Sequence, residues 1–104
     1  MFGWGVQSVT TDQLAAKLEA GKQVLIDVRE PYEFAAGRVK GAINIPLGQL
    51  GTKLGKLDRD KATFVICQSG RRSASAVRAL QRAGFAHAYS VRGGTSAWRG
   101  KLVR

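Results

Sequence analysis

Cysteine is almost absent from this chain, which has one, Cys67, among 104 residues. A lone cysteine excludes an intramolecular disulfide and a cysteine-rich zinc site, and we expect neither a metal ion nor another cofactor. Long apolar runs are missing too, because no stretch approaches the roughly 18 residues that a membrane span needs. Residues Met1 to Gln7 contain no basic segment followed by an apolar one. We therefore expect no secretory signal, no membrane contact and a cytoplasmic location.

Acidic residues are few as well: 7 Asp and Glu stand against 17 Lys and Arg, which gives a formal net charge of +10. Such an excess favours anionic partners, such as small oxyanions, nucleic acid or an acidic protein. The same charge can simply keep a small domain soluble. No zinc-finger spacing, helix-turn-helix pattern or RNP-type aromatic run accompanies it, so we do not expect direct binding to nucleic acid.

The length and composition fit one folded domain over residues 1–104, which we expect to be a monomer. Strand-like runs occupy residues 24–28, 42–45, 63–67 and 86–91, and helix-like segments lie between them. The runs 24–28 and 63–67 have the mostly apolar pattern of buried strands. This alternation predicts an α/β fold with a mainly parallel sheet and helices on both faces. The Gly- and Lys-rich segment 48–61 is expected to be a loop with one helical turn.

Capping residues predict where the helices begin and end. Thr10 is followed three positions later by Gln13, a capping-box pattern that opens a helix, and Gly21 ends that helix. Further helices are predicted to begin at Pro31, at Ser73 with an end before Gly84, and at Thr95.

The segment after strand 63–67 has the features of an anion site. Cys67 stands at the carboxyl end of that strand, where ligands bind in open α/β sheets, and a helix follows closely. Gly70 lets the short loop wrap tightly, which aims backbone N–H groups inward, and the helix dipole adds positive potential. Arg71 and Arg72 add full charges. These surroundings favour the thiolate, so we predict a nucleophilic cysteine that handles anionic substrates.

Two other interpretations stay open. A cysteine at the end of a strand can be a small, unreactive core residue. Asp27 and Arg29, on either side of Val28, can orient the loop or the substrate, but we favour a buried ion pair that fixes the turn.

Four segments in order resemble the rhodanese (thiosulfate sulfurtransferase) family in its single-domain form. They cover nearly the whole chain: Leu25–Phe34, Gly37–Pro46, Cys67–Ser73 and Gly93–Trp98. The resemblance implies a rhodanese-like sheet of about five parallel strands. The chain departs from the family at two positions, since many members have His in place of Arg38 and Pro in place of Lys40.

The resemblance also implies a reaction. Cys67 would take a sulfane sulfur from thiosulfate or a similar anionic donor as a persulfide, and pass it to cyanide, a thiol or a protein. The substrate-binding residues would be those of the loop: Gln68, Ser69, Gly70, Arg71 and Arg72.

The length of this loop and the charge of the chain bear on specificity. Related phosphatases separate cysteine and arginine by five residues, whereas four separate Cys67 from Arg72, so sulfur transfer is favoured over phosphoryl transfer. The net charge supports an alternative function, which is a persulfide carrier or a non-catalytic module that docks on an acidic protein partner.

Overall fold

The computed structural model of the protein describes residues 5–104. Residues 1–4, which belong to the segment where we expect no secretory signal, lie outside the described residues. Strands and helices alternate along the described chain: β1 Ser8–Val9, α1 Thr11–Ala20, β2 Val24–Asp27, α2 Pro31–Ala36, β3 Ile43–Asn44, α3 Leu50–Lys53, β4 Thr63–Ile66, α4 Arg71–Arg82, β5 Ala88–Val91 and α5 Gly94–Ala97. In this part of the chain, no helix is both long enough and apolar enough to cross a membrane.

The strands form one five-stranded sheet in the order β1-β5-β4-β2-β3, and every neighbouring pair is parallel. The predicted α/β fold with a parallel sheet is therefore confirmed. β4 lies at the centre, paired with β5 on one side and with β2 on the other, and its four residues are all buried. The loop that follows β4 is thus anchored to the central, fully buried strand of the sheet.

The pleat of the central strands divides the core between the two faces of the sheet, because successive side chains point to opposite faces. Leu25 and Phe64 pack in the cluster that contains Leu14 of α1. Ile26 and Val65, the next residues along each strand, pack in the cluster that contains residues of α4. Helices therefore cover both faces, as the alternating sequence pattern predicts.

The helix ends follow the capping residues closely. Thr10 Oγ1 accepts from Gln13 N at 3.0 Å while Thr10 N donates to Gln13 Oε1 at 2.8 Å, which is the predicted capping box. After α4, Gly84 has a φ of 99°, and Phe85 N donates to the Leu80 carbonyl at 3.0 Å. These contacts confirm Gly84 as the residue that ends α4, since the left-handed conformation favours glycine.

Some boundaries differ from the predictions. The start of α4 at Ser73 is wrong: the helix begins at Arg71, because Gly70, with a φ of 104°, turns the chain directly into it. The last helix, α5, begins at Gly94 rather than at Thr95 and ends at Ala97. The segment 48–61 holds α3 flanked by two 3₁₀ turns, which is more helix than the one turn expected: Leu47–Gln49 and Leu54–Lys56.

Candidate functional site

The cysteine lies directly beyond β4 at the carboxyl edge of the sheet. Cys67 continues the alternation of the strand and belongs to the same apolar cluster as Val65, on the face covered by α4. Its exposed fraction is 1%. The sequence-based interpretation of a core cysteine is thus right about burial, and the polar contacts of the sulfur decide whether it is also right about reactivity.

Backbone amides of the loop face the sulfur. Gly70 N lies 3.1 Å from Cys67 Sγ, and Ser73 N lies 3.3 Å from it. The left-handed backbone of Gly70 makes this possible, because it lets the chain reverse and enter α4 within a few residues. The sulfur is therefore bound by N–H donors at the start of a twelve-residue helix, where anions are favoured.

A hydroxyl group completes the surroundings of the sulfur. Ser73 Oγ lies 3.6 Å from Cys67 Sγ. Burial alone raises the pKa of the Cys67 thiol, but hydrogen bonds from the Ser73 hydroxyl and from the Ser73, Gly70 and Ser69 amides outweigh it, so the pKa lies below its ordinary value. This arrangement favours the thiolate, which is the nucleophilic form of cysteine.

The loop residues named from the sequence have different positions. Gln68 is exposed and turns its amide toward α5, where Nε2 donates to Ser96 Oγ at 2.9 Å and Oε1 accepts from Thr95 Oγ1 at 3.1 Å. Ser69 is exposed at the tip of the loop, and Arg71 is exposed on the first turn of α4. The side chains of Ser69 and Arg71 are thus open to solvent beside the buried sulfur.

Arg72 is engaged by a partner that the sequence does not reveal. Its Nη1 and Nη2 atoms donate to the Glu33 carboxylate of α2 at 2.7 and 2.9 Å, which ties α2 to α4. The bidentate hydrogen bond from Arg72 lowers the pKa of Glu33 to about 2. Arg72 therefore contributes its charge to the site as one half of an ion pair.

This ion pair predicts an acid-dependent loss of stability. Because the pKa of folded Glu33, about 2, is below the ordinary 4.5, its stabilisation is complete above pH 4.5 and is lost as the pH falls toward 2. We expect about 1 kcal/mol or less, since the two side chains are 35% and 20% exposed. Urea unfolding of the wild type and of Glu33→Gln between pH 2 and 6 measures it. The difference should vanish near pH 2, whereas the exposed Glu19→Gln should show no such trend; a constant difference would contradict the prediction.

The start of α5 holds the backbone of Cys67 in place. Thr95 N donates to the Cys67 carbonyl at 2.8 Å, and Ser96 N donates to the Gln68 carbonyl at 3.0 Å. Gly94 makes this approach possible, because a Cβ atom there would overlap the Cys67 carbonyl oxygen and lie 2.6 Å from the Gln68 carbonyl carbon. The Gly93-Gly94 pair is therefore part of the support of the loop.

Asp27 and Arg29 form a buried ion pair beside the loop, as the favoured interpretation predicts. Asp27 is 0% exposed, Arg29 is 4% exposed, and Arg29 Nη2 lies 2.8 Å from Asp27 Oδ2. The same Nη2 donates to the Gly37 carbonyl at 2.8 Å, so the pair fixes the connection from β2 through α2. The polar atoms of Asp27 and Arg29 are therefore paired with each other and with the backbone of the protein.

Three side chains of the site were missed at the sequence level. Ser73 stands six positions after Cys67 in the first turn of α4, and this spacing could have indicated its contact with the sulfur. Glu33 and Ser90 reach the site only through the tertiary fold. Among residues 5–104, no three His, Cys, Asp or Glu side chains come together as metal ligands.

Fold and site together define a class of protein: a small α/β domain whose parallel sheet presents one cysteine to an amide-lined loop. A family model described as "Rhodanese-like domain" matches residues 10–101. The chain therefore belongs to the rhodanese-like domain family.

Relatives from Bacillus subtilis differ in how much of their length this chain spans. The "Putative sulfurtransferase YtwF" is 38% identical over 97 residues, which are 92% of this chain and 93% of that protein. "Uncharacterized protein YqhL" is 42% identical over 78% of this chain and 64% of its own length. The "Putative sulfur carrier protein YrkF" is 29% identical over 92% of this chain but only 52% of its own length. The chain thus spans between about half and nearly all of these relatives.

Solved structures have the same fold. A rhodanese-like domain protein from Staphylococcus aureus superposes with a TM-score of 0.86 at 35% identity, covering 94% of this chain and 97% of that one. The human single-domain sulfurtransferase TSTD1 superposes with a TM-score of 0.77 at 28% identity, covering 90% of this chain and 96% of that one.

Proposed function

We propose that the protein is a sulfurtransferase that carries a sulfane sulfur on Cys67, with thiosulfate or a similar anion as donor. The observation that carries the proposal is the convergence of two backbone amides and one hydroxyl group on Cys67 Sγ: Gly70 N, Ser73 N and Ser73 Oγ. The names of YtwF and TSTD1 support the same reaction class.

The reaction has two steps that regenerate the thiolate. The Cys67 thiolate attacks the outer sulfur of thiosulfate, an S–S bond forms, and the bond to the sulfonate breaks so that sulfite leaves with the electron pair. The resulting persulfide is anionic, and the amides that stabilise the thiolate also stabilise it. An acceptor such as cyanide then attacks the terminal sulfur and leaves as thiocyanate, which returns Cys67 to the thiolate.

Burial of the sulfur adds a requirement for access. Cys67 is 1% exposed, so a donor meets Sγ only when the loop moves. The exposed residues Gln68 and Ser69 form the outer part of that loop, and we propose that their displacement admits the donor. The hydrogen bond from Thr95 N to the Cys67 carbonyl can remain in place during this motion, because it binds the backbone at the base of the loop.

Mass spectrometry tests whether Cys67 accepts sulfur. After incubation with thiosulfate, the peptide that contains Cys67 should gain about 32 Da, the mass of one sulfur atom, as expected of a reactive thiolate. Cyanide should remove this mass and release an equal amount of thiocyanate. An unchanged mass would contradict the proposal, and so would faster turnover of an aryl phosphate than of thiosulfate.

A second candidate is a persulfide carrier for an acidic protein partner. Its support is the net charge of +10 together with the name of YrkF, a putative sulfur carrier protein. A carrier would gain the same sulfur atom but pass it poorly to cyanide and efficiently to its partner. Added salt would weaken that transfer, because exposed charges are screened. Efficient turnover with cyanide favours the enzyme.

A further inference from the structure

The hydroxyl of Ser73 has one hydrogen but three close neighbours. Ser73 Oγ lies 3.6 Å from Cys67 Sγ, 3.1 Å from the Gly70 carbonyl oxygen and 2.7 Å from Ser90 Oγ. Ser73 is 0% exposed and Ser90 is 3% exposed, so solvent hardly competes for these groups. A hydroxyl donates only one hydrogen bond, so Ser73 Oγ can donate to only one of these three neighbours at a time.

The protonation state of the sulfur determines which neighbour accepts the hydrogen bond from the Ser73 hydroxyl. When Cys67 is a thiol, its S–H donates to Ser73 Oγ and the Ser73 hydroxyl donates to the Gly70 carbonyl. When the thiol ionises, the sulfur can only accept, which draws the Ser73 hydrogen to it. In both states the Ser73 hydrogen points to a group other than Ser90, which lies on β5. Ser90 must therefore be the donor in the hydrogen bond between the two serines.

We propose that Ser90 is a positioning residue of the sulfur site, whose hydroxyl donates to Ser73 Oγ and so directs the Ser73 hydrogen onto the Cys67 thiolate. A hydroxyl that accepts a hydrogen bond becomes a stronger donor, because linked hydrogen bonds polarise one another. The inference rests on the proposed function, in which this thiolate is the sulfur acceptor, and it assigns a role to a residue of β5.

Charged groups on the elements around the sulfur are mostly neutralised or screened. Arg72 of α4 acts on the sulfur through its charge but is paired with Glu33 of α2. Asp27, the last residue of β2, pairs with Arg29 two positions later. Two further cations are exposed, where solvent screens them: Arg71 and Arg92. The buried hydroxyls are therefore well placed to influence ionisation of the thiol.

The pH dependence of alkylation by iodoacetamide tests this role on the whole protein, because Cys67 is the only thiol. We expect Ser90→Ala to shift the midpoint of the alkylation profile upward by about half a pH unit. At pH values below the midpoint, this shift lowers the thiolate fraction about threefold. Ser90 lines a cleft of about 270 Å³, and Ser90→Thr adds one methyl group at this position. This variant keeps the hydroxyl and should restore the midpoint.

Two comparisons separate the hydroxyl from packing. Ser8 is the register partner of Ser90 on β1 and lines the same cleft, so Ser8→Ala is a matched control that should leave the midpoint unchanged. Valine has the shape of threonine but lacks the hydroxyl group, so Ser90→Val is compared with Ser90→Thr. If Ser90→Ala does not fold, Ser90→Val takes its place as the variant without a hydroxyl group. An equal midpoint in the Thr and Val variants, or an unshifted Ser90→Ala, would overturn the inference. A shifted Ser90→Ala in a protein that takes no sulfur from thiosulfate would reject the proposed function alone.

Discussion

Replacement of Cys67 by serine is expected to abolish sulfur transfer while the fold survives. Oxygen is a far poorer nucleophile toward sulfur at neutral pH and cannot form the persulfide, so turnover of thiosulfate with cyanide should fall by at least about 10³-fold. The Gly70 and Ser73 amides can still donate to the serine oxygen. We therefore expect the free energy of unfolding to change by about 1–2 kcal/mol at most.

The measurement combines steady-state thiocyanate formation with urea unfolding. Cys67→Ala should lose activity to the same extent. As a control that keeps the cysteine, Ser75→Ala alters an exposed residue on α4 and should retain wild-type turnover. Wild-type turnover in either Cys67 variant would show that another group carries the sulfur.

Gly94→Ala is expected to have the largest effect on stability. The new Cβ would overlap the Cys67 carbonyl oxygen, and the φ of 58° is unfavourable for any residue with a side chain. This overlap cannot be relieved by the rotation of a side chain, because the atoms that the Cβ would meet belong to the backbone. Left-handed strain of about 1–2 kcal/mol and overpacking of about 1–3 kcal/mol together predict a loss of about 2–5 kcal/mol in the free energy of unfolding.

The same substitution should reduce sulfur uptake, because it displaces the peptide that carries Cys67. Urea unfolding and the rate of persulfide formation are the two measurements. Gly51→Ala is the matched control: a Cβ there meets nothing within 4 Å, and alanine favours helix in α3. If Gly94→Ala were as stable and as active as Gly51→Ala, the start of α5 would have no supporting role.

Patterns within the chain were enough to predict most of the fold. The buried strands β2 and β4 are almost continuous apolar runs, and capping residues mark both ends of α1 and the C-terminal end of α4. β1 was missed because its two residues, Ser8 and Val9, are too short for any periodicity. It exists because β5 offers a partner 82 residues further along the chain, in the register Ser8 with Ser90.

The candidate site could be predicted in part. A glycine between a strand and a helix is a local signal, and it indicated inward-facing amides around Cys67. Burial of the sulfur and the pairing of Arg72 with Glu33 depend on contacts between distant elements, which no local pattern contains. The sequence therefore suggested two arginine charges near the site, one of which could point to solvent. The structure has one exposed arginine, Arg71, and one that is held by a carboxylate, Arg72.

The two outer strands of the sheet have a consequence for how the molecule behaves at high concentration. β1 and β3 contribute two residues each, so the described part of the sheet presents very short borders. A second chain that approached either border would find few unpaired backbone groups with which to continue the ladder. Growth into fibrils by strand addition is thus disfavoured by the architecture itself, independently of the electrostatic repulsion between highly cationic molecules.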